Sequence, residues 1–254
     1  MVKKILSIAL WVVTAAALVV LFVFAREDYL NRPVQSIQLI TATDTGFVRK
    51  GEVRKDLQQL CNKKKIGTVD MVKIQNHLNN NPWIASNASY IDLDGTLKVS
   101  YEEYKPKFRV FGKDGHSVYV TEEGVVVPTS TQYTTYVMVA SGNFDIANDT
   151  TAYALIDTLE SHRNLINALA WVNAIEANRF ISNSVGQLYC NPHNEFEITV
   201  KGIEARVIVG DTCLAADKLN RLEAFMKQRI GSQVTQSMKI INLNYKNQIV
   251  CTKR

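Results

Sequence analysis

Histidine and cysteine are the side chains best suited to metal binding or nucleophilic chemistry, and their spacing here argues against both. His77, His116, His162 and His193 stand far apart, with no companion cysteine or carboxylate at metal-ligand spacing. Cys61, Cys190, Cys213 and Cys251 are too widely separated for a zinc knuckle or a CxxC redox centre. Asp157, Glu160 and His162 cluster on one expected helix, where a solvated face explains them better than a site does. No GxSxG, HExxH, GxGxxG or P-loop pattern occurs. Asn87-Ala88-Ser89 and Asn148-Asp149-Thr150 match the glycosylation acceptor pattern, which is common by chance. The expectation is a chain without catalytic residues, metal ligands or a cofactor.

The remaining charge points the same way. At 46% hydrophobic and 21% charged the chain is globular in composition, and its net charge of +5 is spread along its length. Lys63-Lys64-Lys65 is the one basic cluster, in an expected loop between helices, and reads as a solvated face rather than a nucleic-acid patch. Three of the cysteines fall near the C-terminus, and both a disulfide and single buried thiols are open to them.

What positions these residues begins with Ile5 to Ala25, one uncharged apolar run. As a helix it spans about 30 Å, the thickness of a bilayer's hydrocarbon core. Lys3 and Lys4 precede it while Arg26, Glu27 and Asp28 follow, which places the amino terminus in the cytoplasm and the bulk on the far side. A cleaved signal peptide is the alternative, since Val23-Phe24-Ala25 resembles a cleavage site. The run is longer than the apolar core of about 7–15 residues typical of signal peptides, which favours a retained anchor.

After the linker, Val34 to Leu39 alternates as a half-buried strand. Val53, Leu57, Leu60 and Cys61 share one helical face, and Asp70 suits the cap of a second helix carrying Met71, Ile74 and Leu78. Pro82 stops that helix. A hairpin from Ala88 to Glu102 turns at Asp94-Gly95; a two-residue turn pairs Leu93 with Thr96 and Tyr90 with Val99. That register puts Ala88, Tyr90, Leu97, Val99 and Tyr101 on the covered face. The expected core of this module is Leu57, Ile74, Leu78, Trp83, Leu97 and Val99.

Strand signals follow at Phe108–Phe111, Val118–Val120, Val125–Val127 and Tyr136–Val139. Helical spacing appears at Leu155, Ile156 and Leu159, then at Ile166, Leu169, Val172 and Ile175. A second hairpin turns at Lys201-Gly202, Leu219, Leu222 and Phe225 mark a further helix, and strands are expected over Lys239–Tyr245 and Gln248–Thr252. A short final strand makes a sheet edge that can accept a strand from another protein.

These residues resemble the bacterial cell-division family FtsQ, also called DivIB. Asn81-Pro82-Trp83-Ile84, Gly95-Thr96-Leu97-Lys98-Val99, Glu103-Tyr104-Lys105-Pro106 and Tyr119 to Val125 are similar to motifs of its POTRA module and the segment after it. Val207-Ile208-Val209-Gly210, Lys218 to Leu222 and Ile241-Asn242-Leu243-Asn244-Tyr245 are similar to its "v-x-l-G", "KL-x-x-L" and "iDLRy". The chain departs from the family at Thr43-Asp44, where a Gly-Asn pair is usual. It departs again at Asp94, where a proline is usual, and at Asn242 and Asn244, which replace the Asp and Arg of "DLR".

The resemblance implies an α+β architecture. Residues 1–4 form a cytoplasmic tail, 5–25 a transmembrane helix and 26–33 a linker. Residues 34–105 form a POTRA-like βααββ domain, and 106–254 a larger mixed β-sheet domain with packed helices. It implies a non-enzymatic scaffold of the divisome in the inner membrane at the septum. There it links early division components to septal peptidoglycan synthesis by binding FtsB and FtsL, with no nucleic acid and no small-molecule substrate. In the family the Tyr of "DLRy" and the following strand form the FtsB dock, which carries over to Tyr245, Asn247, Ile249 and Cys251. Alternation alone allows Tyr245 to be core instead, continuing the Ile241 and Leu243 face. A membrane-anchored envelope enzyme with a POTRA-like docking module is the alternative function.

Overall fold

The computed structural model describes residues 2–42, 45–62, 64–131, 133–146, 151–155, 159–229 and 237–254. Asp44, Lys63, the sequon at Asn148, Ile156 and Asp157 lie outside the described residues. The chain divides into two compact units, Met1–Glu103 and Tyr104–Arg254.

The first unit begins with helix α1 (Val2–Asn31). It is long and apolar enough to cross a membrane, and none of its apolar window is buried within the protein, which suggests single-pass anchoring. The helix runs on through residues 26–31 of the expected linker. β1 (Ser36–Thr41), α2 (Lys50–Cys61), α3 (Met71–Asn79), β2 (Ile84–Ile91) and β3 (Thr96–Glu103) follow. The sheet order is β1-β3-β2, with β1 parallel to β3 and β2 antiparallel to it. Asp70 caps α3 by accepting from the Lys73 amide at 3.1 Å. Leu57, Ile74, Leu78, Trp83, Leu97 and Val99 are all buried, and Trp83 stacks on Phe47 with ring centroids 3.6 Å apart.

The hairpin register differs from expectation by one residue. Tyr90 pairs with Lys98, and Ile91 with Leu97. The Asp92 amide donates to the Thr96 carbonyl and Gly95 N–H returns to the Asp92 carbonyl, so the loop has three residues, with Gly95 at φ +83°. A left-handed glycine closing a three-residue loop outcompetes the two-residue turn, which would need positive φ at Asp94 as well. Ala88 and Tyr90 are therefore exposed, while Ile91 and Ser89 share the face of Leu97 and Val99.

In the second unit, β4 (Pro106–Phe111), β5 (Ser117–Thr121), β6 (Val125–Pro128), β7 (Met138–Gly142) and β8 (Tyr153–Ala154) precede α4 (Arg163–Ala177) and α5 (Arg179–Ser182). Then come β9 (Val185–Cys190), β10 (Phe196–Val200), β11 (Ile203–Gly210), α6 (Ala215–Arg229), β12 (Met238–Asn242) and β13 (Val250–Lys253). Among the described residues, the strands of this unit join one mixed sheet in the order β13-β12-β11-β10-β9-β7-β4-β5-β6-β8. Leu165, Ala168, Trp171, Val172 and Ile175 of α4 and Leu219, Leu222 and Met226 of α6 pack into one core with alternate strand residues such as Phe108, Val110, Leu188 and Val207.

One expected element changes and another is only partly described. The helical spacing at Leu155, Ile156 and Leu159 falls in part outside the described residues; before it stands β8, with the Leu155 amide donating to the Gly124 carbonyl, and after it a single 3-10 turn at Glu160–His162. His162 stacks against Tyr153. The strand over Lys239–Tyr245 stops at Asn242, whose side chain accepts from the Asn244 amide and turns the chain.

Cys61, Cys190 and Cys213 are free thiols, the first two buried and the third exposed. Burial pushes the Cys190 thiol up to about 11. In folded protein at neutral pH, iodoacetamide should label Cys213 while Cys190 stays unmodified until denaturant is added. Peptide mass spectrometry reads the outcome, and fast labelling of Cys190 would contradict its burial.

Candidate partner interface at the C-terminal sheet edge

β11, α6 and β12 make a crossover unit, with β11 and β12 parallel in the register Val207 to Ile241. β13 then turns back antiparallel, Cys251 opposite Ile241 and Val250 opposite Asn242. Among the described residues no strand lies beyond β13, so its outer backbone groups form an open edge.

The loop between β12 and β13 is held from α6. Arg221 donates to the carbonyls of Tyr245 at 2.8 Å, Gln248 at 2.6 Å and Leu243 at 3.2 Å, while its Nε bonds Asp217 at 3.0 Å. Three carbonyls on one planar guanidinium fix the loop's path far better than a single point charge would. Gly210 ends β11 at φ +67°, and a Cβ there would collide with the Asn244 side chain. The motif glycine thus admits the loop as well as the backbone turn.

One helical turn before Arg221, Lys218 is buried. Its Nζ donates to the carbonyls of Val209 and Asp211 and to Asp211 Oδ1 at 2.7 Å, and it lies 5.7 Å from the Trp171 ring centre. The hydrogen bond from Lys218 holds the Asp211 carboxyl below its ordinary range. An open hollow of about 490 Å³ lies between this connection and the loop, lined by Asp211, Leu214, Asp217, Arg221, Asn244 and Lys246.

The four residues named from sequence separate into two pairs. Tyr245 is 48% exposed and Asn247, at φ +58°, is also exposed; Tyr245 does not continue the buried face of Ile241 and Leu243. Ile249 and Cys251 are half-buried and pack on the core. Lys253 at the strand's end is exposed, but within β13 it is Val250 and Thr252 that alternate outward from Cys251. Sequence reasoning missed these two because the strand's alternation does not say which face the helices cover. It also missed Arg221, which lay inside the "KL-x-x-L" segment but carries no signal of its own for a loop more than twenty residues away. Among the described residues no group of three His, Cys, Asp or Glu side chains could hold a metal ion.

No curated protein matches the chain. A family model described as FtsQ/DivIB, C-terminal related, matches residues 105–252, a span that takes in the large sheet, the Arg221 clamp and the open edge. The chain belongs to the FtsQ/DivIB-related family.

Proposed function

We propose that this protein is a non-enzymatic, membrane-anchored scaffold of bacterial cell division. Family membership gives it a role in division. The finer reading is that it links early division components to septal peptidoglycan synthesis by binding FtsB and FtsL. Residues 34–105 serve as a POTRA docking module and 106–254 as the partner-binding domain. Lys3 and Lys4 hold the amino terminus in the cytoplasm, and the two domains lie in the periplasm at the septum.

The observation that carries this reading is the open β13 edge within the family-matched segment, flanked by the half-exposed Tyr245. A partner strand added along β13 gains main-chain hydrogen bonds, and the exposed Tyr245, Asn247, Val250 and Thr252 give it choice. Because Ile249 and Cys251 pack on the core, deleting the strand would unseat the fold as well as the edge. Point substitutions are the cleaner test. Tyr245→Ala and Val250→Asp are expected to reduce co-purification of FtsB and FtsL with the full chain from membranes at least tenfold, with the thermal transition kept within a few degrees. Undiminished capture by both would rule the edge out.

A further inference from the structure

The end of the first unit that adjoins α1 carries a second surface. Tyr29 lies four residues beyond Ala25, about 6 Å further along the helix, within the headgroup layer if the apolar run spans the hydrocarbon core. Its hydroxyl donates to the carbonyls of Ile91 and Asp92, both at 3.2 Å. The Gln35 amide donates to the Gly95 carbonyl, the Ile66 amide to the Arg32 carbonyl and the Val34 amide to the Lys64 carbonyl. Gly67 packs against Leu30, where an added Cβ would meet the Leu30 Cβ at 3.1 Å. The helix therefore does not hand over to a free tether: its last turns are bonded to both the β2–β3 turn and the α2–α3 connection.

β1 and β3 both start from this end and run away from it, while β2 returns to it. The β2–β3 turn is thus the end of the sheet next to the helix's apolar run. At its tip stands Leu93, 79% exposed, one residue from the carbonyl that Tyr29 holds. Beside it on the α2–α3 connection are Lys64 and the exposed Lys65, whose Nζ reaches Asn31 at 3.0 Å. Of the nearby acids, Asp28 and Asp92 are engaged by Arg32 and Lys98, and Asp94, exposed beside Leu93, accepts from the Thr96 amide at 2.8 Å.

We infer that this end of the module rests on the bilayer surface itself, with Leu93 seated at the boundary of headgroups and acyl chains and Lys64 and Lys65 facing lipid phosphates. An apolar tip flanked by lysines matches the layered chemistry of that zone. The inference rests on the reading of α1 as a membrane anchor. It makes the height and tilt of the module over the membrane a built-in quantity.

The test uses the full chain in vesicles of phosphatidylethanolamine and phosphatidylglycerol whose acyl chains carry bromine close to the headgroup. Bromine quenches tryptophan emission on contact. Leu93→Trp is compared with Ser86→Trp, which lies toward the other end of β2, about 17 Å along the strand from Ile91. The emission added by Leu93→Trp is expected to be quenched at least twofold more than that added by Ser86→Trp. Equal quenching of the two would overturn the contact. The native Trp11, read by difference against Trp11→Phe, reports separately on the anchor. If its emission also ignores the bromine, the anchor reading fails and the contact falls with it.

Discussion

Trp83→Ala should lower stability by about 3–5 kcal/mol, the range for emptying a large aromatic core site. Trp83 is 4% exposed and stacks on Phe47 with the ring planes 7° apart, so truncation removes both a large buried area and a specific ring contact. Its amide accepts no freedom either: it donates to Asn81 Oδ1 at 3.0 Å within the turn that ends α3, so the ring cannot be replaced by a local shift of the chain. Urea denaturation of the full chain in detergent, followed by circular dichroism, gives the number. A loss below about 1 kcal/mol would mean that neighbouring side chains refill the space, against the packing density of a normal core.

Gly142→Ala should be comparably severe, about 3–5 kcal/mol, from backbone strain and overpacking together. Gly142 sits at φ +114°, outside even the left-handed region that L-residues visit. A Cβ there would stand inside the contact distance of the Cys190 carbonyl, which already accepts from the Asn143 amide at 2.9 Å. The nearest obstruction is the Cys190 backbone, which has no flexible end to swing away, with the Tyr189 ring beside it. Gly142 pairs with Cys190 where β7 meets β9, the seam between the two halves of the large sheet. The expected readout is a lower urea midpoint with accelerated labelling of Cys190. Wild-type stability in the variant would show the seam to be free to slide.

The parts of the fold that the sequence declared were those where one local pattern had one outcome. Val53, Leu57 and Cys61 recur at helical spacing and are buried, Asp70 caps as its type and place suggest, and the Lys201-Gly202 turn joins β10 to β11. The misreadings came where two local rules competed. Asp94-Gly95 fits a two-residue and a three-residue loop equally on paper, and the choice moved Tyr90 from core to solvent. Gly186 and Gln187 obscured β9, a strand held by neighbours on both sides rather than by its own propensity. At the open edge, the existence and place of β13 were legible. Which of its side chains faced outward was not, because that depends on helices distant in sequence.

β13 contributes only four residues, about 13 Å of ladder. At about 1 kcal/mol net for each main-chain bond, such a ladder cannot by itself offset the 4–15 kcal/mol lost on association. The strand also carries the charge of Lys253, and its pairing with β12 slips between Met238 and Ile240, both of which blunt a flat template. Two copies of this chain meeting edge to edge would each bring the same short ladder and set one Lys253 near the other. A strand added here would need contacts on the surface beside the ladder as well as the ladder itself.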